Sequence, residues 1–272
     1  MRLGFLAGLV LMAGLATSPV RAQEPVLLHA AGSLRAALTE VTQAFTAQSG
    51  LPVKPAFGAS GLLRERIAKG EAAEVFASAD LGNPRTLAKE GRSGPVVLFA
   101  RNELCAFVRP GVAATPETLL ERMLDTGLKL GTSTPRADPS GDYAFQVFAR
   151  AEAVKPGARA ALEAKALQLT GGPGSAPAPD GLNVYGHNLA SGAADIFLAY
   201  CTNAVPIAKE QTGIRLVRLP PELAVGAEYG LTVMNGASPN AGRLAMFILA
   251  QEGQAILARH GFAAPTLPRE GG

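Results

Sequence analysis

The chain of 272 residues has no tryptophan, only two cysteines, and aromatics at just 6% of its positions. Two cysteines are too few for a disulfide-dense scaffold. His29, His187 and His260 show no zinc-ligand spacing with one another or with cysteine, so no metal-ion site is expected. A basic tract with interleaved aromatics is also missing. The 25 Lys and Arg against 22 Asp and Glu leave a formal charge of only +3, so nothing favours nucleic acid as a partner. No apolar run reaches the roughly 20 residues needed to span a bilayer.

What is present begins with Met1-Arg2, an apolar stretch over residues 3–15, and Val20-Arg21-Ala22. A basic start, a short apolar middle and small residues before a break predict a secretory signal peptide over residues 1–22. Removing it takes Arg2 and Arg21 away, so the charge falls from +3 to +1. In an exported chain an even cysteine count favours a disulfide between Cys105 and Cys201, and two buried thiols in neighbouring strands are the alternative. If formed, the bridge closes a long loop and contributes on the order of 4–5 kcal/mol.

The first half of the chain alternates. Strands are expected at 26–30, 53–57 and 74–78, each followed by a helix (34–48, 62–68, 81–90) that a glycine ends. Repeated βα units imply a mostly parallel sheet with right-handed crossovers. Two separate strands follow at 95–99 and 104–108. Further on, helices are expected at 116–124, 143–151 and 157–169, and strands at 129–133, 194–200 and 229–234. A single periodic helix runs through Ala241, Leu244, Phe247, Ile248 and Ile256. Residues 171–181, rich in Gly, Pro and Ala, read as a surface loop.

Two stretches carry the chemistry: Ala30-Ala31-Gly32-Ser33-Leu34 and Phe57-Gly58-Ala59-Ser60-Gly61-Leu62. Each reads as a strand ending in small residues, then a serine, then an amphipathic helix. The first N–H groups of a helix lack intrahelical partners and sit at the positive end of its dipole, so they attract anions. A single such serine is ordinarily an N-cap. Two in consecutive βα units predict a shared oxyanion site. Hydrogen bonds to a charged group contribute roughly 1.5–3 kcal/mol each. Several neutral donors therefore suffice for tight binding without Lys or Arg, after the costs of association. Neither serine loop carries a carboxylate to accept a ligand proton, which favours a fully deprotonated tetrahedral dianion over phosphate. Asp80, after the third strand, is the carboxylate that could reach the site.

The ordered set of these two stretches with Glu74-Val75-Phe76-Ala77-Ser78-Ala79-Asp80, Ala137-Asp138-Pro139-Ser140-Gly141, Ala199-Tyr200-Cys201-Thr202-Asn203-Ala204-Val205, Glu228-Tyr229 and Arg259-His260-Gly261-Phe262 resembles the periplasmic molybdate-binding proteins of ABC importers. The resemblance covers essentially the whole mature chain. It implies an α/β fold of the two-lobed periplasmic binding protein type II class, with the ligand cleft between the lobes. Lobe I would comprise residues 23–103 plus 228–272, and lobe II residues 104–227. It further implies that molybdate or tungstate is held by the hydroxyls of Ser33, Ser60 and Tyr200 and by backbone N–H groups near Ser140 and Val184. No residue would ligate the metal directly, and no cofactor is implied. The expected role is a periplasmic, monomeric binding protein that serves an ABC permease in the inner membrane and is not an enzyme. This chain departs from the pattern at Gly61, where another small hydroxyl residue is common, and across Asn183-Val184-Tyr185-Gly186-His187-Asn188. Sulfate or a small organic acid is the alternative ligand. A serine hydrolase using Ser33 or Ser60 is the rival class, and it would need a His–acid pair beside one of them.

Overall fold

The computed structural model describes residues 23–265, so the expected signal peptide lies outside the described residues. Three βα units open the fold: β1 (Val26–Ala31), α1 (Arg35–Ser49), β2 (Val53–Gly58), α2 (Ser60–Ala68), β3 (Val75–Ser78) and α3 (Gly82–Lys89). The middle comprises β4 (Val97–Val108), α4 (Leu119–Leu124), β5 (Leu130–Ser133), α5 (Pro139–Val154), α6 (Ala158–Lys165) and β6 (Leu167–Thr170). Then come α7 (Val184–Ala190), β7 (Ile196–Tyr200), α8 (Ala204–Glu210), β8 (Arg215–Arg218), β9 (Gly226–Val233), α9 (Pro239–Leu249) and α10 (Gln251–Arg259).

The first helix shows how local sequence sets its element. Leu38, Val41 and Phe45 form one buried stripe, and Gly50 ends the helix at φ 73°, where its N–H donates to the Thr46 carbonyl at 2.9 Å. At the far end of the chain, α10 packs back on α1 through Glu40, which accepts from His260 Nε2 at 2.8 Å. Phe45 and Phe247 meet edge to face at 5.5 Å. None of the helices is long and apolar enough to cross a membrane among the described residues.

Among the described residues the nine strands belong to one curled sheet, ordered β2-β1-β3-β9-β4-β7-β5-β6, with β8 paired to β4. Pairing is parallel from β2 through β3 and from β7 through β6, and antiparallel where β9 and β4 enter. Strand β4 joins two halves. Its residues Val97 to Glu103 pair with β9, Leu104 to Val108 pair with β7, and Cys105 to Val108 pair on the other side with β8.

Several expected elements differ. The two strands foreseen at 95–99 and 104–108 are one continuous strand, because Arg101, Asn102 and Glu103 keep the ladder to β9. The helix foreseen over 157–169 stops at Lys165, and its last residues form β6, a parallel partner of β5 that periodicity alone does not separate from a helix tail. Helix α5 starts earlier than residue 143. Asp138 caps it by accepting the Ser140 N–H at 3.0 Å, and Pro139 occupies the first turn, where its missing N–H is harmless. The C-terminal helix is broken at Ala250, whose ψ of 166° is extended. Cys105 and Cys201 form a disulfide, which ties β4 to the turn immediately after β7.

Candidate functional site

Where the two halves meet, the predicted residues fall at the ends of strands. Ser33 sits in the 3-10 turn Gly32–Leu34 that links β1 to α1, and Ser60 is the first residue of α2. Neither side chain caps its helix. Instead Ser33 Oγ lies 3.0 Å from the Tyr229 hydroxyl. Ser60 Oγ accepts the Ala79 N–H at 3.1 Å, and Ser60 is buried. From the opposite half, the Tyr200 hydroxyl donates to the Ala79 carbonyl at 3.5 Å. Ser60 and Tyr200 thus converge on one peptide residue at the end of β3.

The loop before α5 closes the same junction. Gly61 N–H donates to the Ala137 carbonyl at 2.9 Å, so the start of α2 touches backbone from the other half. A Cβ at position 61 would stand 2.3 Å from the Arg136 carbonyl oxygen, closer than any side-chain carbon can lie. The departure from the resembled pattern at Gly61 therefore has a steric reason. Ser140, next along the loop, is fully buried. Its N–H is engaged by Asp138 Oδ1, and its hydroxyl has no hydrogen-bond partner. Val184 opens α7, where Asn183 Oδ1 accepts the N–H groups of Tyr185 and Gly186 at 3.0 and 3.1 Å. The Val184 side chain packs against a second apolar cluster that includes Cys105, Phe107 and Phe197.

Sequence reasoning places Tyr229 in the resembled pattern but gives it no role at the site. It is completely buried in β9, with its hydroxyl held between Ser33 Oγ and Asn102 Nδ2, the latter at 3.3 Å. It belongs to a chain of rings: Tyr143 to Tyr200 at 6.2 Å, Tyr200 to Tyr229 at 5.6 Å, and Tyr229 to Phe262 at 5.4 Å. All four tyrosines of the protein, Tyr185 included, surround this junction. Burial raises the pKa of each, Tyr143 to about 12, so every phenol keeps its proton at neutral pH and remains a donor. The combination of aromatic packing and a contact with Ser33 across 196 residues is invisible to local pattern.

Acidic groups also gather here. Burial pushes the Asp138 carboxyl up to about 6, and it raises Asp142 as well. Asp80 reaches the junction and adds to the rise at Asp138, Asp142 and Tyr143. Its own carboxylate accepts from Ser78 Oγ at 2.9 Å and from Asn83 at the start of α3. Away from this region His29 pairs with Glu71 and His260 with Glu40. No group of His, Cys, Asp and Glu among the described residues is arranged to hold a metal ion.

The arrangement offers buried neutral hydroxyls and backbone amides from two halves of a sheet joined through one strand. Residues 26–263 match the family of bacterial extracellular solute-binding proteins. An uncharacterized protein of Pasteurella multocida, PM1146, is 36% identical over 203 residues, 74% of this chain and 84% of that protein. The molybdate-binding protein ModA of Mycobacterium tuberculosis is 26% identical over 251 residues, 91% of this chain and 87% of its own. Among solved structures, the periplasmic molybdate-binding protein of Azotobacter vinelandii superposes with a TM-score of 0.71 at 20% identity, covering 89% of this chain and all of that one. The chain belongs to the bacterial extracellular solute-binding protein family, and its fold, a mixed curled sheet with flanking helices, is the α/β arrangement of the type II periplasmic binding proteins.

Proposed function

We propose that the protein is a periplasmic binding protein that captures molybdate or tungstate and presents it to an ABC permease of the inner membrane. The observation that carries this reading is the convergence of the Ser60 and Tyr200 hydroxyls on Ala79 from opposite halves. Ser33 stands beside them through the ring pair Tyr229 and Tyr200. Residues 23–103 with 228–272 act as one lobe and residues 104–227 as the other, bending at β4 where its partner changes from β9 to β7. A dianion between them would draw donors from both lobes, and that differential affinity for the closed form is what drives closure. The ModA relative, which spans nearly the same length, supports molybdate as the ligand.

The partners of the two serines argue for binding rather than hydrolysis. A nucleophilic serine needs a base within reach, whereas Ser33 faces a phenol and Ser60 faces a backbone amide. Isothermal calorimetry against molybdate, tungstate, sulfate and phosphate tests the reading. Molybdate and tungstate should bind most tightly. Heat with sulfate alone would reassign the ligand, and no heat with any anion would overturn the oxyanion site. Within the same titrations, Tyr200→Phe should weaken molybdate roughly 10- to 100-fold, since one hydrogen bond to a charged group is worth about 1.5–3 kcal/mol. The melting temperature should hardly move, because the ring stays packed between Tyr143 and Tyr229.

A further inference from the structure

Among the groups at the junction, the Asp138 carboxyl has no part in holding a dianion by neutral donors. It occupies the N-terminus of α5, and its Oδ1 takes the Ser140 N–H, the very amide that the oxyanion would use. Next to it the Ser140 hydroxyl is completely buried and unpartnered. Gly171, at φ 75°, packs against this carboxyl so closely that a Cβ there would stand 2.5 Å from Asp138 Oδ2, so only glycine leaves room for the side chain on that flank. An anion arriving at this helix end therefore meets a second negative group competing for the same donor.

We propose that Asp138 makes this site bind its oxyanion together with one proton, held between the carboxyl and an oxygen of the anion. The proposal rests on reading the junction as an oxyanion site. With a proton in place the carboxyl turns from competitor into donor, and like-charge repulsion is removed. The surroundings prepare this step. Burial already pushes the group up to about 6, opposed by the Ser140 amide and the Ser133 hydroxyl of β5, and Asp142 on α5 and Asp80 after β3 raise it further. From α7 and β7 it faces Tyr185 and Tyr200, both neutral. A bound dianion lifts the carboxyl above its value in the free protein. Affinity should then be flat below about pH 6 and fall about tenfold per pH unit above it, as each binding event draws a proton from the buffer. The fall ends where the pH passes the raised value in the complex.

Calorimetry with molybdate and with sulfate, both dianions through the neutral range, tests this in two buffers of different ionisation enthalpy. The wild-type protein should take up close to one proton per anion above neutrality. Asp138→Asn keeps an N-cap but cannot ionise, so its uptake should drop to near zero and its affinity should become independent of pH. Binding without proton uptake and with a flat pH profile in the wild type overturns the proposal while leaving the oxyanion site intact. A pH slope that persists in Asp138→Asn does the same. Absence of binding by either anion, in either form of the protein, removes the oxyanion reading and this proposal with it.

Discussion

Gly61→Ala should lower affinity for the anion by about 100-fold or more without destabilising the ligand-free protein. The added methyl carbon would sit 2.3 Å from the Arg136 carbonyl oxygen and 2.7 Å from that of Ala137. Both are backbone atoms, and the loop that carries them has little room to retreat. Arg136 is at φ 66°, its N–H is bonded to Asp142 Oδ1 at 2.9 Å, and the Asp138 N–H is bonded to the Thr134 carbonyl at the same distance. The remaining way to relieve the contact is to part the two halves. Parting them takes away donors contributed by one side, and losing two hydrogen bonds to a charged group removes about 3 kcal/mol or more. Each 1.4 kcal/mol corresponds to a factor of ten, hence the expected loss. If the halves part in the unliganded protein, as the proposed closure requires, the same change should be neutral or mildly stabilising there, since alanine favours a helix by about 1 kcal/mol over glycine and position 61 lies in the first turn of α2. Calorimetry and thermal melting on the one variant separate these effects. Unchanged affinity would show that the Gly61–Ala137 contact is not part of the bound form.

Removing the disulfide should produce the largest stability change. Cys105 and Cys201 are 96 residues apart, and closing a loop of that length restricts the unfolded chain by on the order of 4–5 kcal/mol. Cys105 is also fully buried beside Phe107, Tyr185 and Phe197, so alanine is the appropriate replacement because it adds no unsatisfied hydroxyl. Cys105→Ala with Cys201→Ala should unfold roughly 10 °C lower, given about 2–4 °C per kcal/mol for a chain of this size. Chemical denaturation of the wild type with and without reductant should show the same difference. A gap below about 1 kcal/mol would mean that native contacts already hold β4 against the end of β7. The loop-entropy account of the bridge would then fail.

The opening βα units were legible because three independent signals agree there: short apolar strands, helical stripes such as Leu38, Val41 and Phe45, and a glycine after each helix. Agreement was lost wherever tertiary pairing decides. Residues 101–103 are polar and read as a gap, yet Asn102 reaches Thr202 and Tyr229 while Glu103 meets Arg218 on β8, so the strand continues. Leu167 and Leu169 suit a helix tail as well as a strand, and β5 alone selects the strand. Helix α7 hides behind Gly186, His187 and Asn188, none of them a strong helix former. At the site, the small-residue and serine pattern singled out Ser33 and Ser60 because it is local. The role of Tyr229 is not legible there because only the order β1-β3-β9 brings it to Ser33. The loop of Asp138 is legible from its motif, whereas the effect of its carboxyl depends on burial, which no spacing reveals.

The ring of tyrosines has an optical consequence. With no tryptophan in the chain, near-ultraviolet absorption and emission come chiefly from four phenols, and all four line the junction between the halves. The protein therefore carries its own unlabelled reporter. A change in ring spacing or in the hydrogen bonding of Tyr200 and Tyr229 registers in the emission of the whole molecule, undiluted by chromophores elsewhere. Stopped-flow mixing with anion could follow the two halves closing in real time, with no dye attached and no residue replaced.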